Sequence, residues 1–328
     1  MSCNTAVLLI FFNRPDELKE TFAAIRDAQP KRIYLAQDGA REDHPEDVNN
    51  ILACRKIVEN IDWDCQVFRR YSDVNQGCGR GPYHAINWVF EKEESAIILE
   101  DDCIASPSFF TFCDEMLERY WDDKRIFLIT GCNFELESRD VPYSYFFGHS
   151  GANWGWATWK RNWQLMDYEC SWANDEYIND NFEQYLNQLM IKRKAQNEIE
   201  SMHETNRRLA AGENLSYWDV QWQVIRHLNH QISIIPSKNL ITNVGLGVMS
   251  THAKYANVPQ KYYDDPGEIH FCYNRRYELE YPLKHPTTIQ RNERYDRKID
   301  LKLYPSLPMR ALNKLSRLVN KLRTNQSK

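Results

Sequence analysis

Residues 97–103 read Ile-Ile-Leu-Glu-Asp-Asp-Cys. An apolar, β-branched run is the mark of a buried strand. This one delivers three consecutive carboxylates, Glu100, Asp101 and Asp102, to its C-terminal end. Like charges gathered at the mouth of a buried strand repel one another and lose hydration, a cost that a bound cation removes. A solvated acidic turn is the plainer alternative. The core-like sequence on both sides, Ile-Ile-Leu before and Cys-Ile-Ala-Ser-Pro-Ser-Phe-Phe after, favours a metal. Carboxylate oxygens suit hard cations, and Mg²⁺ or Mn²⁺ takes only one or two of them, filling its shell with phosphate and water. A nucleotide diphosphate is the co-ligand this implies.

Working outward, the flanking chain alternates strand and helix. Ala6–Phe12 is a continuous apolar run that fits a central parallel strand, and Asn13-Arg14-Pro15-Asp16 turns it into a helix carrying Leu18, Phe22 and Ile25. Arg32–Ala36 is a second strand ending in Gln37-Asp38-Gly39, Val48–Ile61 a helix and Gln66–Arg70 a third strand. Asn75–Pro82 (NQGCGRGP) reads as a glycine-rich loop before a helix at Tyr83–Glu91, and Ala96–Leu99 is the fourth strand. This alternation predicts βαβ units and an α/β fold with a mostly parallel sheet. Ligands in such sheets bind beyond the carboxyl ends of the strands. Asn13 and Arg14, Asp38, and Glu100–Asp102 all fall at such ends.

Further along, Ser106–Tyr120 predicts a helix with a Ser-Pro cap, and Ile126–Thr130 a strand. Half of the ten tryptophans lie between Trp154 and Trp172. Residues 174–212 predict a helical hairpin with Phe182, Leu186, Leu189 and Met190 on one face. Ser216–His227 predicts another helix, carrying Trp218, Asp219 and Trp222, and Ile232–Ile235 a short strand. Asn243–His252 is a glycine-containing loop. Residues 257–300 show no clear periodicity, and Met309–Arg323 reads as a basic amphipathic helix.

With 328 residues, 42% of them hydrophobic, the chain can bury a sizeable core. No apolar run approaches the roughly 18–20 residues of a membrane span, and the N-terminus has no signal-peptide pattern. Its nine cysteines form no C-x-x-C pair, so neither a zinc ribbon nor a disulfide framework is expected, and they read as reduced thiols of a cytosolic protein. Net charge is −5, but residues 1–300 hold 34 basic against 46 acidic residues, or −12. An acidic body argues against nucleic-acid binding.

The stretch Ile98–Phe110, ILEDDCIASPSFF, resembles the metal-binding segment of N-acetylglucosaminyltransferase I and its bacterial relatives, GT-A glycosyltransferases in which a Glu-Asp-Asp triplet serves as the D-x-D motif. The similarity continues in order over roughly residues 5–255. Phe12-Asn13-Arg14-Pro15 resembles the family's first strand-turn, Ala36-Gln37-Asp38-Gly39 its nucleotide-contact turn, and Gly155-Trp156 a Gly-Trp of the acceptor half. Tyr217-Trp218-Asp219 resembles the segment bearing the catalytic base, and Gly245–His252 a Gly-rich loop ending in Ser-His. The resemblance implies a GT-A fold, with residues 1–105 as the nucleotide-sugar half, 106–256 as the acceptor and catalytic half, and 257–328 as a C-terminal extension. It implies Asp102 as direct metal ligand, with Glu100 and Asp101 at ribose or sugar hydroxyls or on the metal through water. Arg14 and Asp38 would hold the nucleotide of a UDP-sugar, and Asp219 would be the general base of an inverting transfer.

The bland alternatives stay open beside these roles. Asp219 could be a surface or capping residue, and Arg14 could pair with Asp16. Asn75–Gly81 lacks the Lys-Ser/Thr of a P-loop, though Arg80 and the glycines could approach a diphosphate. His252 could contact metal or phosphate, or simply cap a turn. Trp154, Trp156 and Trp218 could line an acceptor cleft, or be core. The tail helix, within 307–328, could dock on the body or attach to an anionic membrane. The resemblance, and the absence of an N-terminal anchor, point to a bacterial enzyme acting on a glycan or lipid-linked acceptor in surface polysaccharide synthesis, cytoplasmic or peripheral on the inner membrane face. A non-catalytic sugar-binding protein of the same fold and a sugar-nucleotidyltransferase are the competing readings. The latter usually has a glycine-rich loop after the first strand, where Phe11–Asp16 has none.

Overall fold

The structure, a computed structural model, describes residues 3–245 and 275–305. The first half is built as the sequence predicts. Strand β1 (Ala6–Phe11) leads through Pro15 into helix α1 (Pro15–Ala28), then β2 (Arg32–Gln37), α2 (Glu46–Val58), β3 (Gln66–Tyr71), α3 (Gly77–Phe90) and β4 (Ser95–Glu100). One correction falls here. Helix α3 begins at Gly77, so most of the presumed glycine-rich loop is its first turns. After a short β5 (Cys103–Ala105) come α4 (Pro107–Arg119), β6 (Ile126–Thr130), β7 (Tyr145–Gly148), β8 (Trp156–Trp159) and α5 (Lys160–Trp163). Ser106 stands at the N-cap of α4 but its side chain makes no capping bond. The predicted hairpin is α6 (Glu176–Leu189) and α7 (Lys192–Ala210), followed by α8 (Asp219–Leu228), β9 (Ile232–Pro236) and β10 (Ile241–Asn243). A helix α9 (Glu293–Leu303) lies within the stretch whose sequence showed no period.

Eight strands form one sheet in the order β3-β2-β1-β4-β8-β6-β9-β7. Strands β1 to β4 are mutually parallel and β6 is parallel to β9, while β8 and β7 run against their neighbours. The mixed α/β architecture with a mostly parallel sheet is therefore present. Along β1, Val7, Leu9 and Phe11 face one side, packing with Leu18, Phe22 and Ile25 of α1 and with Phe109 and Phe112 of α4. Ala6 and Leu8 face the other, with Ile86 and Val89 of α3 and a group of tryptophans. A strand covered on both faces has no reason to alternate, which is why AVLLIF is apolar throughout.

The order β2-β1-β4 puts a topological switch between β1 and β4, where crevices form beyond the strand C-termini. Ile10 pairs in register with Glu100, so the turn after β1 and the acidic triplet after β4 are side by side. The two-stranded pair β5–β10 closes this end of the sheet, with Cys103 opposite Asn243. No helix among the described residues is long and apolar enough to cross a membrane, and their cysteines form no disulfide.

Candidate active site

Asp101 is 2% exposed and turned inward. Its Oδ2 accepts the Phe12 N–H at 3.1 Å, and its Oδ1 accepts a hydrogen bond from the Arg14 guanidinium. The Thr21 hydroxyl donates to its backbone carbonyl at 2.9 Å. Both oxygens of Asp101 are thus engaged by the β1 turn, where the expectation was a contact to ribose or sugar hydroxyls or to the metal through water. Asp102 is 9% exposed. Its Oδ2 lies 3.0 Å from the same guanidinium, and its Oδ1 accepts from Asn243 Nδ2 at 3.2 Å. Arg14 pairs with Asp101 and Asp102; its expected alternative partner, Asp16, is not among its ion pairs.

Glu100 is half-buried. Burial, then the charges of Asp102 and Asp101, push its carboxyl up to about 8, and Asp219 adds to the same effect. The influence of Asp219 matters, because it puts the first residue of α8 within electrostatic reach of the triplet across 119 positions of sequence. Four carboxyl groups thus share this end of the sheet with the guanidinium of Arg14. Asp219 also sits in the first turn of its helix, where a negative charge interacts favourably with the helix dipole.

The remaining expected residues divide. Asp38 accepts backbone N–H bonds from Gly39 at 3.0 Å, Gln76 at 2.8 Å and Gly77 at 2.9 Å, so its carboxylate supports the start of α3. Burial raises its pKa and these three donors oppose the rise. Arg80 lies over the Tyr168 ring and pairs with Glu169 at 3.2 Å, on an exposed rim instead of against the triplet. Trp156 (1% exposed) and Trp218 (4%) stack with ring centroids 5.9 Å apart in the core, together with Trp163 and Trp222. Neither ring offers a face to an acceptor, which corrects that expectation, while Trp154 is only partly buried. Gly155, at φ +58, is there because any side chain would strike Ile241 of β10. His252 and the tail helix lie outside the described residues.

Several supporting residues carried no signal strong enough to find them by sequence. Asp47, fully buried, ties Asn13 Nδ2 at 2.5 Å to Arg41 Nε at 2.7 Å. Gln37 Nε2 donates to the Phe12 carbonyl at 2.9 Å. Asn243 ends a three-residue strand too short to show any period.

Among the described residues, no group of three or more His, Cys, Asp and Glu side chains converges as a ready-made ligand set. The donor chemistry nevertheless fits a hard divalent cation. Glu100, Asp102 and Asp219 are carboxylates, and a magnesium-like ion needs only one or two such oxygens; burial first, and the neighbouring acids second, raise the Glu100 carboxyl. Asp102 and Glu100 are the residues that would hold it.

No family model matches the chain, and no curated protein does either. Similar solved structures include the galactosyltransferase LgtC in complex with donor and acceptor sugar analogues, at 13% identity and a TM-score of 0.31. That match covers 53% of this chain and 65% of LgtC, just under two thirds of the latter's length. An active-site mutant of LgtC matches at 13% identity and a TM-score of 0.32, over 53% and 65% of the two chains. UTP-bound UGPase from Acinetobacter baumannii matches at 9% identity and a TM-score of 0.30, over 51% of this chain and 78% of its own. At these scores the likeness is loose.

Proposed function

We propose that this protein is a divalent-cation-dependent glycosyltransferase that moves a sugar from a nucleotide diphosphate donor, a UDP-sugar in the first instance, to a hydroxyl of a glycan or lipid-linked oligosaccharide. The observation that carries this is the grouping of Glu100, Asp101, Asp102 and Asp219 with Arg14 at the β1/β4 switch. Arg14, paired with Asp101 and Asp102 and partly exposed, supplies a guanidinium of the kind suited to phosphate oxygens. When bound, a cation on Asp102 would offset the charge that develops on the leaving diphosphate. Asp219, at its helix start, accepts the proton of the acceptor hydroxyl, a contribution of about 10²–10⁴ in rate. A base facing the acceptor implies a single displacement with inversion at the anomeric carbon. The acceptors named above would place the enzyme in surface polysaccharide synthesis, with the basic segment 307–328 near an anionic membrane.

The test is calorimetric titration of UDP with and without Mn²⁺, followed by a screen of nucleotide sugars for Mn²⁺-stimulated hydrolysis. Asp102→Ala is expected to abolish the Mn²⁺-dependent part of nucleotide binding, and Asp219→Asn to bind donor normally while turning over at least about 10²-fold more slowly. Nucleotide affinity indifferent to Mn²⁺ in the unaltered protein would refute the reading. Binding with no slow release of UDP from any donor would leave a sugar-binding protein of this fold.

A further inference from the structure

Asp102 is bracketed by a segment that reaches it from 141 positions along the chain. Strand β10 pairs antiparallel with β5, so that Asn243 stands opposite Cys103, immediately after the triplet. The Val244 N–H then donates to the Asp102 carbonyl at 2.9 Å. Asn243 itself is 5% exposed and uses both ends of its amide. Its Nδ2 donates to Asp102 Oδ1 at 3.2 Å, while its Oδ1 accepts the Gly245 N–H at 2.8 Å. Gly245 lies directly over the other side of the carboxylate. A Cβ placed there would stand 1.8 Å from Asp102 Oδ2 and 2.9 Å from Arg14 Nη1, so only glycine fits.

The consequence for Asp102 is a fixed rotamer with its two oxygens assigned different tasks. Oδ1 is taken by a neutral amide donor, which does not compete for a cation's charge. Oδ2 lies 3.0 Å from the Arg14 guanidinium, the charge partner that a bound cation would share or displace. An amide suits this position because it donates to the carboxylate without adding charge, and because its carbonyl can tie down the next turn of backbone at the same time.

We infer that Asn243 is a positioning residue for Asp102, presenting Oδ2 to a divalent cation, and that Gly245 is the space this presentation requires. The inference rests on the metal-dependent reading above. Outer partners of metal-binding carboxylates typically govern about 10–100-fold of metal affinity.

The experiment is Mn²⁺ binding to the full chain in the presence of saturating UDP, measured by calorimetry well below each variant's melting transition, with the melting temperature of the metal-free protein recorded alongside. Asn243→Ala is expected to weaken Mn²⁺ about 10-fold or more. Gly245→Ala, which pushes on Oδ2 from the opposite side, is expected to weaken it at least as much and serves if the first variant folds poorly. Purely structural support would lower the melting temperature and leave the Mn²⁺ affinity of the folded protein within about twofold, and that result overturns the inference. A parent whose Mn²⁺ binding is lost in Asp102→Ala but unchanged in both new variants sinks the inference alone. A parent that binds no Mn²⁺ removes the metal-dependent reading and this inference together.

Discussion

At the scale of single residues, the site is defined by charges that the fold does not let relax. Glu100 is the clearest case, since burial and its acidic neighbours hold its carboxyl near 8, above the range in which a solvated glutamate titrates. In the metal-free protein it is mostly protonated at pH 7. A cation requires the carboxylate, so binding must expel that proton, and affinity is expected to rise with pH up to about 8 and level off above it. Calorimetry of Mn²⁺ binding in buffers of different ionisation enthalpy reads the released proton directly. Affinity that is flat from pH 6.5 to 8.5, with no proton release, would show that Glu100 takes no part. The place of the triplet at the end of an apolar strand was legible in the residues themselves, whereas Asp219, at the start of a helix, entered only through the resemblance of Tyr217-Trp218-Asp219. The inward turn of Asp101 was not legible, since nothing in three adjacent carboxylates says which one the Phe12 N–H and Arg14 will claim.

At the scale of elements, helix α3 shows how a tertiary contact overrides a local signal. Its first turns are Gly77-Cys78-Gly79-Arg80-Gly81, which by propensity is a loop, and its N-cap residue Gln76 offers no side-chain bond. The cap comes instead from Asp38 at the end of β2, whose oxygens take the Gln76 and Gly77 N–H groups. Gly79 is needed because the helix runs against the Leu215 carbonyl, only 2.1 Å from where a Cβ would stand. Asp38→Ala should therefore cost about 0.5–2 kcal/mol of stability, the usual effect of losing an N-cap, seen as a lower denaturation midpoint. An unchanged midpoint would mean that the carboxylate does not hold the helix. Strands β1, β2 and β4 were placed to within a residue or two from sequence because each is an apolar run with turn residues at its end. Helix α9 was invisible for the opposite reason. Its buried face is Tyr295, Asp296, Ile299 and Asp300, so an apolar period never appears.

At the scale of the whole molecule, those buried acids belong to a polar cluster that joins α9 to the far edge of the sheet. The His149 N–H donates to Asp296 at 3.1 Å, and Lys194 of α7 lies 3.2 Å from Asp300. His149 and His227, both buried, are held neutral well below the ordinary imidazole range, by burial first and by the nearby cations second. Asp296 is raised to about 7 by burial. The signs oppose. Below about pH 6.5 the unfolded chain protonates the two histidines while the folded one does not, so their contribution to stability falls with pH. Asp296, protonated in the folded state below about 7, works the other way. His149→Gln should therefore flatten the acid limb of the stability profile by up to about 1.4 kcal/mol per pH unit relative to the parent, whatever it does to stability at neutral pH. Parallel acid limbs would show that His149 is protonated in the folded protein. A different consequence follows from the bracket on Asp102. Its two sides are separated by 141 residues, so during synthesis the N-terminal strands can emerge and pair long before β10 exists. A nascent chain still short of residue 241 has its acidic triplet but lacks the clasp that orders it, and competence is conferred only when that later strand has been made.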